Sequence, residues 1–124
     1  MLKIFGSAGA AMMIASGAQA ACTPQDFAVV GFKPGVHNAC RLTPCPTYSF
    51  TGKLQNNCGQ PAAAQLKLTA FTKDETVVST YEAWPASTRN IAPGAKYAFD
   101  LGYGINYDPV IDHVTIEIIE VRAW

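Results

Sequence analysis

The chain has 124 residues, enough for one small domain once a leader is set aside. Nine Lys and Arg balance nine Asp and Glu, and the cations form no run. That balance excludes an electrostatic nucleic-acid binder and a polybasic membrane-surface binder.

The first predicted element is "MLKIFGSAGAAMMIASGAQA", residues 1–20. Lys3 gives a positive n-region, a run rich in Ala, Met and Ile follows, and Ala18 and Ala20 are the small residues that a signal peptidase reads. The segment is predicted to be a secretory signal peptide, leaving residues 21–124 as the mature domain. Its apolar stretch falls short of the ~20 residues that a spanning helix needs, and no later stretch is apolar enough to cross a bilayer. Lipidation of Cys22 is the competing reading. Gln19 stands where lipoprotein signals carry a Leu-like residue, and lipidation would strand an odd set of three cysteines. Cleavage after Ala20 is therefore expected, with a bacterial periplasm or the extracellular space as the address.

The mature chain alternates short β-like runs with Gly, Pro and Asn. Asp26–Phe32 is a predicted strand ended by "KPG". The Pro-rich connection "GVHNACRLTPCPT" follows. Thr47–Gln55 alternates with period two, placing Tyr48, Phe50, Gly52 and Leu54 on one face. "NNCGQP" (Asn56–Pro61) reads as the turn of a β-hairpin. Ala63–Thr72 and Thr76–Trp84 are strands joined by the polar turn "KDE". Pro93–Gly94 suits a type II turn, because Pro pre-sets its φ and Gly accepts a positive φ. Tyr97, Phe99 and Leu101 then share a face. "GYGINYDP" (Gly102–Pro109) is a loop. In the last strand, His113–Trp124, the apolar parity slips between Ile118 and Ile119, which predicts a β-bulge there. No helical period is sustained. The predicted fold class is all-β, a single antiparallel β-sandwich.

"TGKLQNN", "AAAQLKLTAFTKDETVVSTYEAW" and "IAPGAKYAFDL" together resemble the FxLYD-domain family of small bacterial extracytoplasmic domains. Gly52, Asn56, Pro93, Gly94 and Phe99 stand at the family's turn and core positions. Leu68, Ala70, Phe71 and Thr72 replace the name-giving Phe, Leu, Tyr and Asp, so only Phe71 keeps aromatic character there. The resemblance covers Tyr48 to Trp124. It implies an immunoglobulin-like sandwich and supplies no catalytic residue.

The four cysteines allow three pairings. A strand over Thr47–Gln55 spans about 25–30 Å, so Cys40 and Cys45 at its start cannot reach Cys58 beyond its end. If the preceding strand is antiparallel to it, Cys22 meets Cys58 and Cys40 meets Cys45. A zinc site is the alternative, and the Cys spacing and the compartment favour disulfides.

Catalytic chemistry has little to stand on. The chain has two histidines, His37 and His113. His113 follows Asp112, but successive strand residues point to opposite faces, so that adjacency predicts no dyad. No nucleophile-elbow or zinc-protease motif occurs. No enzyme, cofactor or metal is predicted. The aromatics Trp84, Tyr103, Tyr107 and Trp124 are the candidate binding residues, since ring faces on loops stack on sugars or anchor partner proteins. The expected function is a non-enzymatic protein-interaction or structural module of the bacterial envelope, with an unidentified envelope or extracellular protein as partner. A glycan- or small-ligand-binding module using those aromatics is the alternative. The final strand is expected at a sheet edge, with Ile119–Trp124 and the Tyr103–Tyr107 loop forming one binding surface.

Overall fold

The computed structural model describes residues 21–124, so the predicted signal peptide lies outside the described residues. These form strands β1 (Phe27–Asn38), β2 (Pro46–Asn56), β3 (Ala63–Phe71), β4 (Val77–Ala83), β5 (Lys96–Asp100) and β6 (His113–Arg122). Short 3₁₀ turns stand at Pro24–Asp26 and Gly102–Gly104. One sheet has the order β1-β2-β5 and the other β4-β3-β6, with every pair antiparallel. The fold is the expected all-β sandwich. Its orders are those of an immunoglobulin-type sandwich in which A-B-E faces C′-C-F. Among the described residues, no strand lies beside β6 where strand G would stand.

The core follows from the alternation. Tyr48, Phe50 and Leu54 of β2 face Ala64, Leu66, Leu68 and Ala70 of β3, closed by Phe99, Leu101 and Ile105. The central strands β2 and β3 bury an inner face along their length, whereas β4 and β6 are half-buried. The predicted slip in β6 is present. Gln65 pairs with Glu120 and Leu66 with Ile118, so Ile119 is the extra residue.

Two expectations are corrected. The first strand does not stop at "KPG" but runs on to Asn38. Gly31 and Phe32 oppose Gly52 alone, with Gly31 at φ 66°, and pairing then resumes at Lys33. Pro34 is tolerated because β1 is an edge strand. His37 consequently sits in β1 opposite Thr47, not in the loop. "NNCGQP" is likewise not a hairpin turn, since β2 and β3 belong to different sheets. It is a corner between the sheets, organised by the buried Asn56. The Asn56 Nδ2 donates to the carbonyls of Gln60 (2.8 Å) and Ile91 (2.7 Å), and its Oδ1 accepts from the Cys58 N–H (2.7 Å).

Both expected disulfides form. Cys22–Cys58 joins the N-terminal tail to this corner, and Cys40–Cys45 closes the β1–β2 tip, with Cα separations of 5.8 and 5.4 Å. No described cysteine is free. Two disulfides mark a chain that matures outside a reducing cytosol. No helix among the described residues is long and apolar enough to cross a membrane.

The Pro93–Gly94 turn is as predicted. Gly94 has φ 78°, and the Ala95 N–H donates to the Ala92 carbonyl (3.0 Å). The Gly94 N–H donates to the Asn56 carbonyl (2.7 Å), so the turn also anchors the corner. Gly94→Val should lower stability by about 1–3 kcal/mol, because a β-branched residue is strained at that φ. A denaturant midpoint equal to wild type would contradict this role.

Candidate functional site at the seam of the two sheets

A two-layer sandwich has two long seams where edge strands of opposite sheets approach. The seam between β4 and β5 is covered by the loop after β5. Gly104 packs flat on the Tyr81 ring, where a Cβ would collide with it, and Tyr103 meets the same ring edge-on at 5.7 Å. The hydrogen bond to Tyr103, with burial second, raises the Tyr81 phenol above its ordinary pKa. At the Arg122 end of the seam between β1 and β6, Ala21 and Cys22 line a small cavity with Val121 and Arg122.

Towards His113 that seam opens into a cleft of about 360 Å³. Pro34–Val36 of β1 form one wall, and His113 and Val114 of β6 the other. Tyr48 and Phe50 supply an aromatic floor, stacked at 5.3 Å, and Tyr107 packs on Tyr48 at 5.3 Å. The Tyr48 hydroxyl donates to the Asp108 carbonyl (3.0 Å) and accepts from its N–H (3.3 Å), fixing the loop that carries Tyr107. Val36 is 58 % exposed and Tyr107 40 %, so the cleft has an apolar lip.

His113 sits at the mouth, stacked on Phe71 at 5.1 Å. Its Nδ1 donates to Asp112 Oδ2 (2.9 Å), and its Nε2 lies 3.3 Å from Glu75 Oε1. The expectation that Asp112 and His113 point apart is corrected. It extended the strand rule to Asp112, whereas Asp112 precedes β6 and is free to turn back onto the ring. Glu75 reaches the ring from the β3–β4 turn, where its φ is 66°. The hydrogen bond to Asp112 raises the His113 pKa; burial opposes it, and the negative charge of Glu75 adds to the rise. A raised folded-state pKa means that the clasp is fully present below the ordinary histidine value and is lost as pH rises through the folded value. In an NMR titration, the His113 ring should therefore titrate above an ordinary histidine, and Asp112→Asn should bring it down. A His113 midpoint below an ordinary histidine's would contradict the clasp.

The predicted aromatics fall into three separate settings. Trp84 and Trp124 meet edge-on at 5.6 Å, with the Arg122 guanidinium 5.5 and 4.9 Å from their ring centres. The Trp124 backbone is held by Asn90, whose Oδ1 accepts from its N–H (2.9 Å) and whose Nδ2 donates to its carbonyl (3.2 Å). This is a clasp that fastens the C-terminus to the β4–β5 connection. Tyr103 belongs to the covered seam and Tyr107 to the cleft. The single surface expected from Ile119–Trp124 and the Tyr103–Tyr107 loop is not assembled. β6 carries His113 beside the tyrosine loop and Arg122 beside the tryptophans, and its 10 residues separate the two groups by about 30 Å. Val36 and His113, which line the cleft, are not among the candidate binding residues of the sequence. Pro34 inside an alternating run was the available hint that β1 continues as a blunted edge.

Compared with protein-family models, curated proteins and solved structures, the chain matches none.

Proposed function

We propose that the protein is a secreted or periplasmic, non-enzymatic interaction module that binds a partner protein at the β1/β6 seam. One observation carries this reading: the apolar-lipped cleft adjoins an edge of β6 that no described strand pairs. The two disulfides and the signal-like residues 1–20 support the address. A relationship to the FxLYD domains rests on the sequence motifs around Gly52, Asn56, Pro93, Gly94 and Phe99. Both ring nitrogens of His113 face carboxylates, which leaves neither for a hydroxyl or thiol nucleophile and supports binding over catalysis. The glycan alternative gains nothing from the aromatics, because Trp84, Tyr103, Tyr107 and Trp124 each meet another ring of the protein and form no common platform.

A photo-crosslinking residue placed at Val36, compared with one at Thr80 on β4, tests the reading in the producing cell. A specific adduct to one protein from Val36 and none from Thr80 is the expected result. Adducts from Thr80 alone would overturn the choice of seam.

A further inference from the structure

We propose that the β1/β6 seam takes up an extended segment of another polypeptide, paired antiparallel along the free edge of β6. The segment places an aliphatic side chain in the cleft and a lysine or arginine, near its carboxyl end, against Asp112 and Glu75. This rests on the interaction-module reading and gives the partner its chemistry.

The edge that pairs is that of β6. The facing edge of β1 is blunted twice: Pro34 has no N–H to donate, and the bulge at Gly31–Phe32 breaks its ladder. From His113 to Ile118, β6 has neither a proline nor a register shift. Its outer N–H and C=O groups face no strand among the described residues. Every strand pair among the described residues is antiparallel, and a strand in the G position beside F continues that pattern. The carboxyl end of the added segment then lies at the His113 end.

The side chains of the segment follow from what the seam offers. Phe50 and Tyr48 form an aromatic floor, and Val36 and Tyr107 stand exposed at the lip, so burial there favours an aliphatic residue. Asp108 and Asp112 line the cleft with His113, no Lys or Arg lines it, and Glu75 faces the same imidazole. One imidazole thus stands among three carboxylates, and an incoming cation meets a complementary field.

Capped peptides of about seven residues, long enough to follow the open half of β6, test this by NMR titration of the labelled protein. They alternate valine and threonine and end in lysine or in glutamate. The lysine peptide should shift the amides of residues 113–117 and bind roughly tenfold more tightly than the glutamate peptide at low salt, the gap narrowing as salt is added. The double variant Asp112→Asn with Glu75→Gln should abolish the gap. Of two lysine peptides N-methylated at alternate amides, in the two possible phases, at least one should fail to bind. Equal binding of the lysine and glutamate peptides at the β6 amides would overturn the charge assignment while leaving the seam reading standing. Undiminished binding of both N-methylated peptides would overturn strand pairing. No shift at β6 with any peptide would overturn both the segment and the seam.

Discussion

Replacing Asn56 with alanine is expected to lower stability by about 3–5 kcal/mol. The side chain is fully buried and satisfies three backbone groups from three places: the Cys58 N–H and the carbonyls of Gln60 and Ile91. Its own backbone accepts from Gly94 and donates to Ala95, so the corner, the Pro93–Gly94 turn and the β4–β5 connection meet at this residue. Truncation removes three hydrogen bonds, each worth about 0.5–1.5 kcal/mol, and takes from the Cys58 N–H its side-chain acceptor, at a further cost of about 1–3 kcal/mol, whereas the Ile91 carbonyl keeps the Ala62 N–H (3.2 Å). Against a domain stability of about 5–15 kcal/mol, the loss is large enough to see by urea denaturation with the disulfides intact. Asn56→Asp separates geometry from chemistry. It keeps the acceptor for Cys58 but sets a carboxylate against two carbonyls, so it should destabilise at neutral pH and recover in part in acid, where the carboxyl regains a proton to donate. A loss below about 1 kcal/mol for the alanine variant would show that the corner does not depend on these bonds.

The second large effect separates the two disulfides. Cys22–Cys58 closes a sequence separation of 36 and Cys40–Cys45 one of 5. If a bridge acts by restricting the unfolded chain, the long loop contributes about 4 kcal/mol and the short one about 2 kcal/mol. The sites point the same way. Cys22 packs against the core, and Cys58 is bonded to Asn56. The Cys40–Cys45 tip is also held by Asn38, whose Oδ1 accepts from the N–H groups of Cys45 (2.8 Å) and Cys40 (3.3 Å), so it keeps a constraint when the bridge is lost. Paired Cys→Ser variants should rank accordingly in thermal and urea unfolding. The reverse order would mean that the tip, and not the corner, limits stability.

What could be read from the sequence is what nearest neighbours determine. The alternation of Tyr48, Phe50 and Leu54 locates a core strand, because side-chain direction has period two whatever the strand pairs with. The parity slip at Ile118–Ile119 locates a bulge for the same reason. The Cys22–Cys58 pairing needed only strand length and antiparallel order. Errors arose where one local signal serves two structures. Turn residues in "NNCGQP" serve a corner between sheets as well as a hairpin. A proline marks a strand end, but an edge strand also accepts it, as Pro34 shows. The seam was beyond sequence reading, since its walls are Pro34–Val36 and His113–Val114 and its mouth is held by Glu75, three segments that only the sandwich brings together. The Asp112–His113 contact was missed because strand alternation was extended one residue too far, to Asp112, which precedes a strand that begins at His113.

The free edge of β6 underlies both the proposed function and the proposed partner, and amide hydrogen exchange of the free protein in dilute solution tests it most directly. β3, flanked on both sides by β4 and β6, should be protected at successive residues. Between residues 113 and 117, protection should alternate, with slow exchange for amides bonded to β3 and fast exchange for those facing the seam. Unbroken protection along that stretch would show that the edge is already paired and would contradict the account.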